Sequence, residues 1–329
     1  MESEQYTIIK RLPVVLHIGY HKTATTYLQK LIFPQLTDVL YLGRAWKSAE
    51  IHSYFLDNQF THSLQFDSSA MRERFYSAIS KWTETSGIHV QDKKAILVSH
   101  ESIHSGPEWF GAEFTLMADR MKATLPNAKI IIGIRKQVDY IESNYRTYIM
   151  HGGKLGFKKF LSKSYAHNYS LLPKLYFDQA IKYYMNKFGK ENVYVYLLED
   201  FKRDLKSELD KILSFAGATT LGIYRKDQVN VGLNKYSIGL LRQLNKLIAS
   251  DFNEQYYNWM NQKLNAKEKF RWRIVRALNK FEEIGLISLN KKLCSPEEKK
   301  QLNEMFLKSN KNLSLLLGKD LSALGYYQQ

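Results

Sequence analysis

Three observations predict an α/β fold, a three-layer sandwich around a central parallel sheet with a C-terminal helical extension. Short apolar runs alternate with helical stretches between residues 14 and 216. The first run ends at a glycine and opens into a loop rich in lysine and threonine. Beyond about residue 230 the strand signals stop and only helical patterns remain. Strands that alternate with helices pair in parallel, because each crossover returns the chain to the same edge direction.

The strands are expected at 14–18, 95–98, 129–134 and 193–198, each a short run built mainly on Val, Ile and Leu. Helices are expected at 25–33, stopped by Pro34, and at 110–124, stopped before Pro126 and Asn127. Further helices fit 138–150, closed by Gly152 and Gly153, then 171–188 ahead of Gly189, and 205–216. Past the sheet, helical patterns cover 236–249, 252–264, 267–284 and 296–317. Ser295, Pro296 and Glu298 form a helix start: serine caps, proline takes the first position and glutamate completes a capping box. No Pro/Gly/Ser-rich linker divides the chain. Residues 1–329 therefore read as a single domain, with 14–230 the α/β core and 231–329 a helical extension packed on it.

The 329 residues are enough for a large core, and 44% hydrophobic with 24% charged residues excludes global disorder. No run approaches the roughly 18 apolar residues of a spanning helix, and the acidic start lacks the order of a secretory signal. Cys294 is the only cysteine, which excludes an intrachain disulfide and a cysteine-based metal site. These features fit a cytoplasmic protein. A net charge of +16 attracts anions without choosing among nucleic acid, lipid, acidic glycan or phosphorylated metabolite. No zinc-finger, RNA-recognition or basic-zipper pattern accompanies the charge, so nucleic acid is not an expected partner.

In such sheets ligands bind beyond the carboxyl ends of the strands, which puts 19–26, 99–105 and 135–143 on one rim. The first segment, Gly19-Tyr-His-Lys-Thr-Ala-Thr-Thr26, joins a buried strand to a helix and supplies free N–H groups, the Lys22 ammonium and three threonine hydroxyls. This is the arrangement of phosphate-loop nucleotide-binding (P-loop NTPase-like) folds. The spacing G-x-x-x-x-G-K-[ST] is nonetheless absent, since no second glycine precedes Lys22. No carboxylate ends the strand at 129–134 to hold magnesium, which disfavours a triphosphate. The alternative of a nucleotide kinase or NTPase stays open at this point.

Lys22-Thr-Ala-Thr-Thr26 resembles the phosphosulfate loop of sulfotransferases that use 3′-phosphoadenosine-5′-phosphosulfate, commonly K-[TS]-G-[TS]-[TS], with alanine replacing glycine at 24. Arg135, at a strand end, and Ser143, eight residues later, resemble the same family's 3′-phosphate motif. A guanidinium forks onto phosphate and a hydroxyl adds a neutral donor. Asn310, Gly318 and Tyr326 give the ending the look of bacterial carbohydrate-type members.

The resemblance implies a sulfotransferase that uses this phosphosulfate as donor, releases adenosine 3′,5′-bisphosphate and needs no metal. It implies that His21, Lys22, Thr23, Ala24, Thr25 and Thr26 hold the donor with Arg135 and Ser143, and that Arg225 comes from a later loop. It further implies that Lys22 faces the bond that breaks. The base comes from Ser99-His-Glu-Ser-Ile-His-Ser105: Glu101 in the pattern of glycan-modifying members, or His100 or His104 in that of small-molecule members. His21 is either turned to the acceptor or a packing residue, and His17 reads as a satisfied core histidine.

A carbohydrate or glycolipid is the implied acceptor, with 41–62 and 150–169 as candidate acceptor loops. The basic amphipathic stretch 263–280 is either a solvated face or a docking surface for anionic membrane, which would place the protein at the inner membrane surface.

Overall fold

The computed structural model describes residues 4–43, 49–101, 114–163, 171–219, 221, 233–246, 273–278, 280 and 292–328. Five strands form one parallel sheet: β1 (Val14–His17), β2 (Val39–Tyr41), β3 (Ala95–Ser99), β4 (Lys129–Ile134) and β5 (Val193–Leu197), in the order β2-β3-β1-β4-β5. All four β1 residues and all five of β3 are buried, as a sheet covered on both faces requires. From β1 the chain moves outward to β2 on one side. After β3 it crosses to β4 and β5 on the other, so the crevice beyond β1 is a topological switch point.

Strand β2 was not expected. It is three residues long, too short for an alternation or a run to register, and it exists because Val39, Leu40 and Tyr41 pair with Ala95, Ile96 and Leu97. Helices α1 (Glu4–Arg11), α3 (Ala49–Phe60) and α4 (Ser68–Thr85) are likewise additions to the expected set. Asp67 starts α4 by accepting from the Ser69 and Ala70 N–H groups at 2.8 and 3.1 Å.

The expected helix at 25–33 breaks into a short α turn, α2 (Thr25–Tyr27), a π turn at Leu28–Ile32 and a 3-10 turn at Phe33–Gln35. Helix α5 (Phe114–Thr124) follows, with the preceding residues outside those described. The expected helix at 171–188 divides into a 3-10 turn at Pro173–Leu175 and a later helix at Phe177–Phe188. Proline disfavours the helical conformation of the residue before it and donates no bond.

The chain folds into two compact units. The first holds Met1–Arg135, Lys174–Asp227 and Ser309–Leu324, and with them the whole sheet. In it α1 and α3 pack on α4, and Phe177–Phe188 packs on α5, β4 and β5. The second holds Lys136–Pro173, Gln228–Lys308 and Gly325–Gln329. It contains α6 (Gln137–Met150), whose end is tied by Asn245 Nδ2 donating to the Ile149 and Gly153 carbonyls at 2.7 and 2.9 Å.

The C-terminal helix runs Pro296–Leu317 as expected, and its capping box is reciprocal: Ser295 N–H donates to Glu298 at 2.8 Å, and Glu298 N–H to Ser295 Oγ at 3.2 Å. The expected helix at 252–264 lies outside the described residues, as does 267–284 apart from 273–278 and 280. There Val275 and Leu278 are buried, while Arg273, Arg276, Ala277 and Lys280 are exposed. Among the described residues no helix is long and apolar enough to cross a membrane.

Candidate active site

Beyond β1 the chain stays zipped to β4, with Ile18 N–H donating to Ile131 and Tyr20 N–H to Gly133, both at 3.0 Å. It then turns sharply. Lys22 and Ala24 take φ of 63° and 68°, left-handed values that cost a non-glycine residue about 1 kcal/mol each. Position 24 is where the resembling motif carries glycine, so that glycine answers a backbone demand that alanine meets under strain. Thr23 fixes the turn between them. It is fully buried, its Oγ1 donates to the Tyr20 carbonyl at 2.6 Å, and its own carbonyl accepts from Tyr196 Oη at 2.9 Å. Left-handed turns of this kind gather successive N–H groups into a concavity that suits an anion.

Tyr196 reaches this loop from β5 by passing over Gly133 of the intervening strand. A Cβ at Gly133 would lie 2.3 Å from Tyr196 Cζ and Oη and 2.7 Å from Thr23 Oγ1. A Cβ at Gly19 would come within 3.0 Å of the Gly133 nitrogen. These two glycines mark close approach of backbone and ring.

The Lys22 side chain is exposed, while its carbonyl accepts from Arg135 Nη1 at 3.2 Å. Arg135, at the end of β4, is thus drawn to the loop. Asp139 pairs with Lys136 at 3.8 Å. Thr25 is buried and Thr26 half-buried.

Glu101, just past β3, is 8% exposed and accepts from Gln29 Nε2 at 2.7 Å. Its other oxygen lies 4.0 Å from His21 Nδ1, and His21 Nε2 is buried with no partner among the described residues. His100 is equally buried, but its ring stacks on Phe55 at 6.4 Å. Of the two adjacent titratable groups, the carboxylate meets the loop and the imidazole meets α3.

The structure therefore gathers His21, Lys22, Thr23, Arg135 and Glu101. Ser143 lies on α6 in the second unit, half-buried, with its carbonyl accepting from Thr147 at 3.1 Å. His104 and Arg225 lie outside the described residues. Gln29, Ser99 and Tyr196 join the site without having been singled out in the sequence. For Tyr196 alone the sequence carries a signal, Gly133, a glycine inside a strand run where close approach excludes a side chain.

His17 is buried as a core histidine, and its partners are specific. Nδ1 lies 2.6 Å from Ser99 Oγ and Nε2 3.1 Å from Tyr196 Oη. Burial lowers its pKa to about 4, against a smaller upward pull from Glu101. The unfolded chain takes up this proton near its ordinary value of 6.5 and the folded chain only near 4. Stability therefore falls as pH drops through that window, by about 2 kcal/mol at pH 5 from this one group. Urea unfolding at pH 7 and pH 5 is expected to show that loss in the wild type and a smaller one in His17→Gln. Equal losses in both would refute it.

The sulfotransferase domain family matches residues 12–273. No curated protein sequence matches the chain. A crystal structure of a sulfotransferase from Alicyclobacillus acidocaldarius is similar in fold, at 18% identity and a TM-score of 0.55, over 94% of this chain and 98% of that one. A mouse sulfotransferase complexed with PAP aligns at 12% identity over 96% and 92% of the two chains, with a TM-score of 0.41. The sulfotransferase domain of the curacin biosynthetic pathway aligns at 14% identity over 90% and 97%, with a TM-score of 0.37. With a family match spanning most of its length and a like-folded bacterial relative, this chain belongs to the sulfotransferase domain family.

Proposed function

We propose that the protein transfers a sulfuryl group from 3′-phosphoadenosine-5′-phosphosulfate to a hydroxyl or amine of a carbohydrate or glycolipid. The observation that carries this reading is the meeting of a strained anion-binding loop, an exposed lysine and a buried carboxylate at adjacent strand ends. A phosphate-loop kinase would carry a second glycine just before its lysine, and this loop lacks one.

The residues fit the donor. Loop N–H groups with Thr25 and Thr26 hold its 5′-phosphate, and Arg135 takes the 3′-phosphate through charge-assisted hydrogen bonds. When bound, the donor supplies an activated sulfur whose leaving group is a stable phosphate. Glu101 accepts the acceptor's O–H proton as that oxygen bonds to sulfur. The bond from sulfur to the bridging oxygen breaks, its electron pair stays on the departing phosphate, and Lys22 stabilises the new charge. Glu101 is preferred over His100 as base because it faces Gln29 and His21 while His100 faces Phe55.

Calorimetry should detect binding of adenosine 3′,5′-bisphosphate without magnesium. Sulfur-labelled donor offered with a panel of glycans, glycolipids and phenols should label a carbohydrate-bearing acceptor. Magnesium-dependent ATP turnover with no bisphosphate binding would overturn the reading in favour of a kinase, and labelling of phenols alone would overturn the acceptor class.

A further inference from the structure

A buried ladder of hydrogen bonds joins the two halves of this site, and its direction follows from counting protons. Thr23 Oγ1 spends its proton on the Tyr20 carbonyl, and Tyr196 spends its own on the Thr23 carbonyl at 2.9 Å. Burial raises the Tyr196 pKa, so the phenol keeps its proton. The Tyr196 oxygen, 3.1 Å from His17 Nε2, is then left to accept, which requires Nε2 to carry the imidazole proton. Nδ1 of the neutral ring must accept, and the group 2.6 Å away that donates to it is the Ser99 hydroxyl. Ser99 Oγ in turn accepts from Gln29 Nε2 at 3.1 Å, and the same amide donates to Glu101 at 2.7 Å. A reversed imidazole would have to take the Tyr196 proton on Nε2, which would leave the Thr23 carbonyl without its donor at 2.9 Å.

We propose that His17, locked as the neutral Nε2–H tautomer, is a positioning residue that sets the Lys22 loop and the Glu101 carboxylate in register with each other. The inference rests on the sulfuryl-transfer reading for the roles of those two ends. His17 touches neither donor nor acceptor. It acts through Tyr196 on the carbonyl of Thr23, the residue between the two strained turn positions, and through Ser99 and Gln29 on the carboxylate. Gly133 serves the same device, since any side chain there would occupy the path of the Tyr196 ring.

The ladder makes a prediction that simple packing does not: a cut at the loop end is felt at the carboxylate end. Tyr196→Phe removes one oxygen and leaves the Nε2 proton without an acceptor. His17 then gains by moving that proton to Nδ1, which turns the Ser99 hydroxyl and changes what it offers Gln29.

The experiment uses the full chain labelled with 15N, with His17 assigned by comparison with His17→Gln. Long-range 1H–15N spectra of the wild type are expected to show the neutral Nε2–H tautomer from pH 5.5 to 8. In Tyr196→Phe the Nε2–H population should fall, the Gln29 side-chain amide signals should move, and turnover of labelled donor should drop about a hundredfold, the typical cost of an ångström of misplacement. Ser99→Ala makes the converse cut, and is expected to shift the Thr23 amide and slow turnover similarly.

A wild-type Nδ1–H tautomer overturns the proposal. So does a folded Tyr196→Phe or Ser99→Ala protein whose far-end signals and turnover stay within about threefold of wild type. Absence of bisphosphate binding by the wild type would instead sink sulfuryl transfer, and the tautomer measurement would still report on the ladder by itself.

Discussion

Glu101→Gln is expected to slow sulfuryl transfer by about 10²–10⁴-fold, the range that a positioned general base contributes, with affinity for adenosine 3′,5′-bisphosphate within about threefold of wild type. The substitution suits the question because it keeps shape and neighbours. The Gln29 amide at 2.7 Å still finds a carbonyl oxygen to donate to, so the packing at the end of β3 persists. What disappears is the capacity to take a proton.

Steady-state rates with labelled donor, set beside calorimetry with the bisphosphate, separate the two effects. Near-normal turnover would remove Glu101 from the base role. The matching change at His100, His100→Asn, then decides whether the imidazole stacked on Phe55 turns to the acceptor during catalysis. A fall in bisphosphate affinity equal to the fall in rate would instead assign Glu101 to shaping the loop.

Lys22→Met carries the second large effect. Removing a charge aimed at an oxygen that becomes anionic costs about 10²–10³-fold in rate when the group acts mainly on the transition state. Methionine is chosen over glycine because Lys22 holds φ of 63°. Glycine would relieve that strain and loosen the turn, mixing a backbone effect with the loss of charge. Methionine keeps a long unbranched chain with the same strain.

Single-turnover measurement of the chemical step is the check, with the donor saturating. If the rate constant holds and only the donor's dissociation constant rises, Lys22 binds ground state and transition state alike, and its place at the breaking bond is wrong.

Much of the framework is legible along the chain. Four of the five strands are apolar runs that need no partner to be noticed, and the C-terminal helix announces itself through Ser295, Pro296 and Glu298. Lys22, Arg135 and Glu101 stand at strand ends, where parallel topology alone places ligands. These features are local: a run of Val and Ile, a cap three residues wide, a side chain one step past a strand. A window of neighbours contains them.

The strand Val39–Tyr41 is not local, because its hydrogen-bond partners lie at Ala95–Leu97. The choice between His100 and Glu101 is not local either. The two are adjacent in sequence, and only the facing elements, Phe55 on one side and Gln29 with His21 on the other, tell them apart. His17 was legible as buried and illegible as a hub, since its partners Ser99 and Tyr196 stand 82 and 179 residues away.

The sequence by itself determined the layered parallel fold and the chemical types gathered at its rim, since burial and turn preferences act between near neighbours. Only the tertiary structure decided which titratable group meets the loop and which distant side chains stand between them. A buried hydrogen bond has a partner and a direction only after folding brings distant donors and acceptors within about 3 Å of one another.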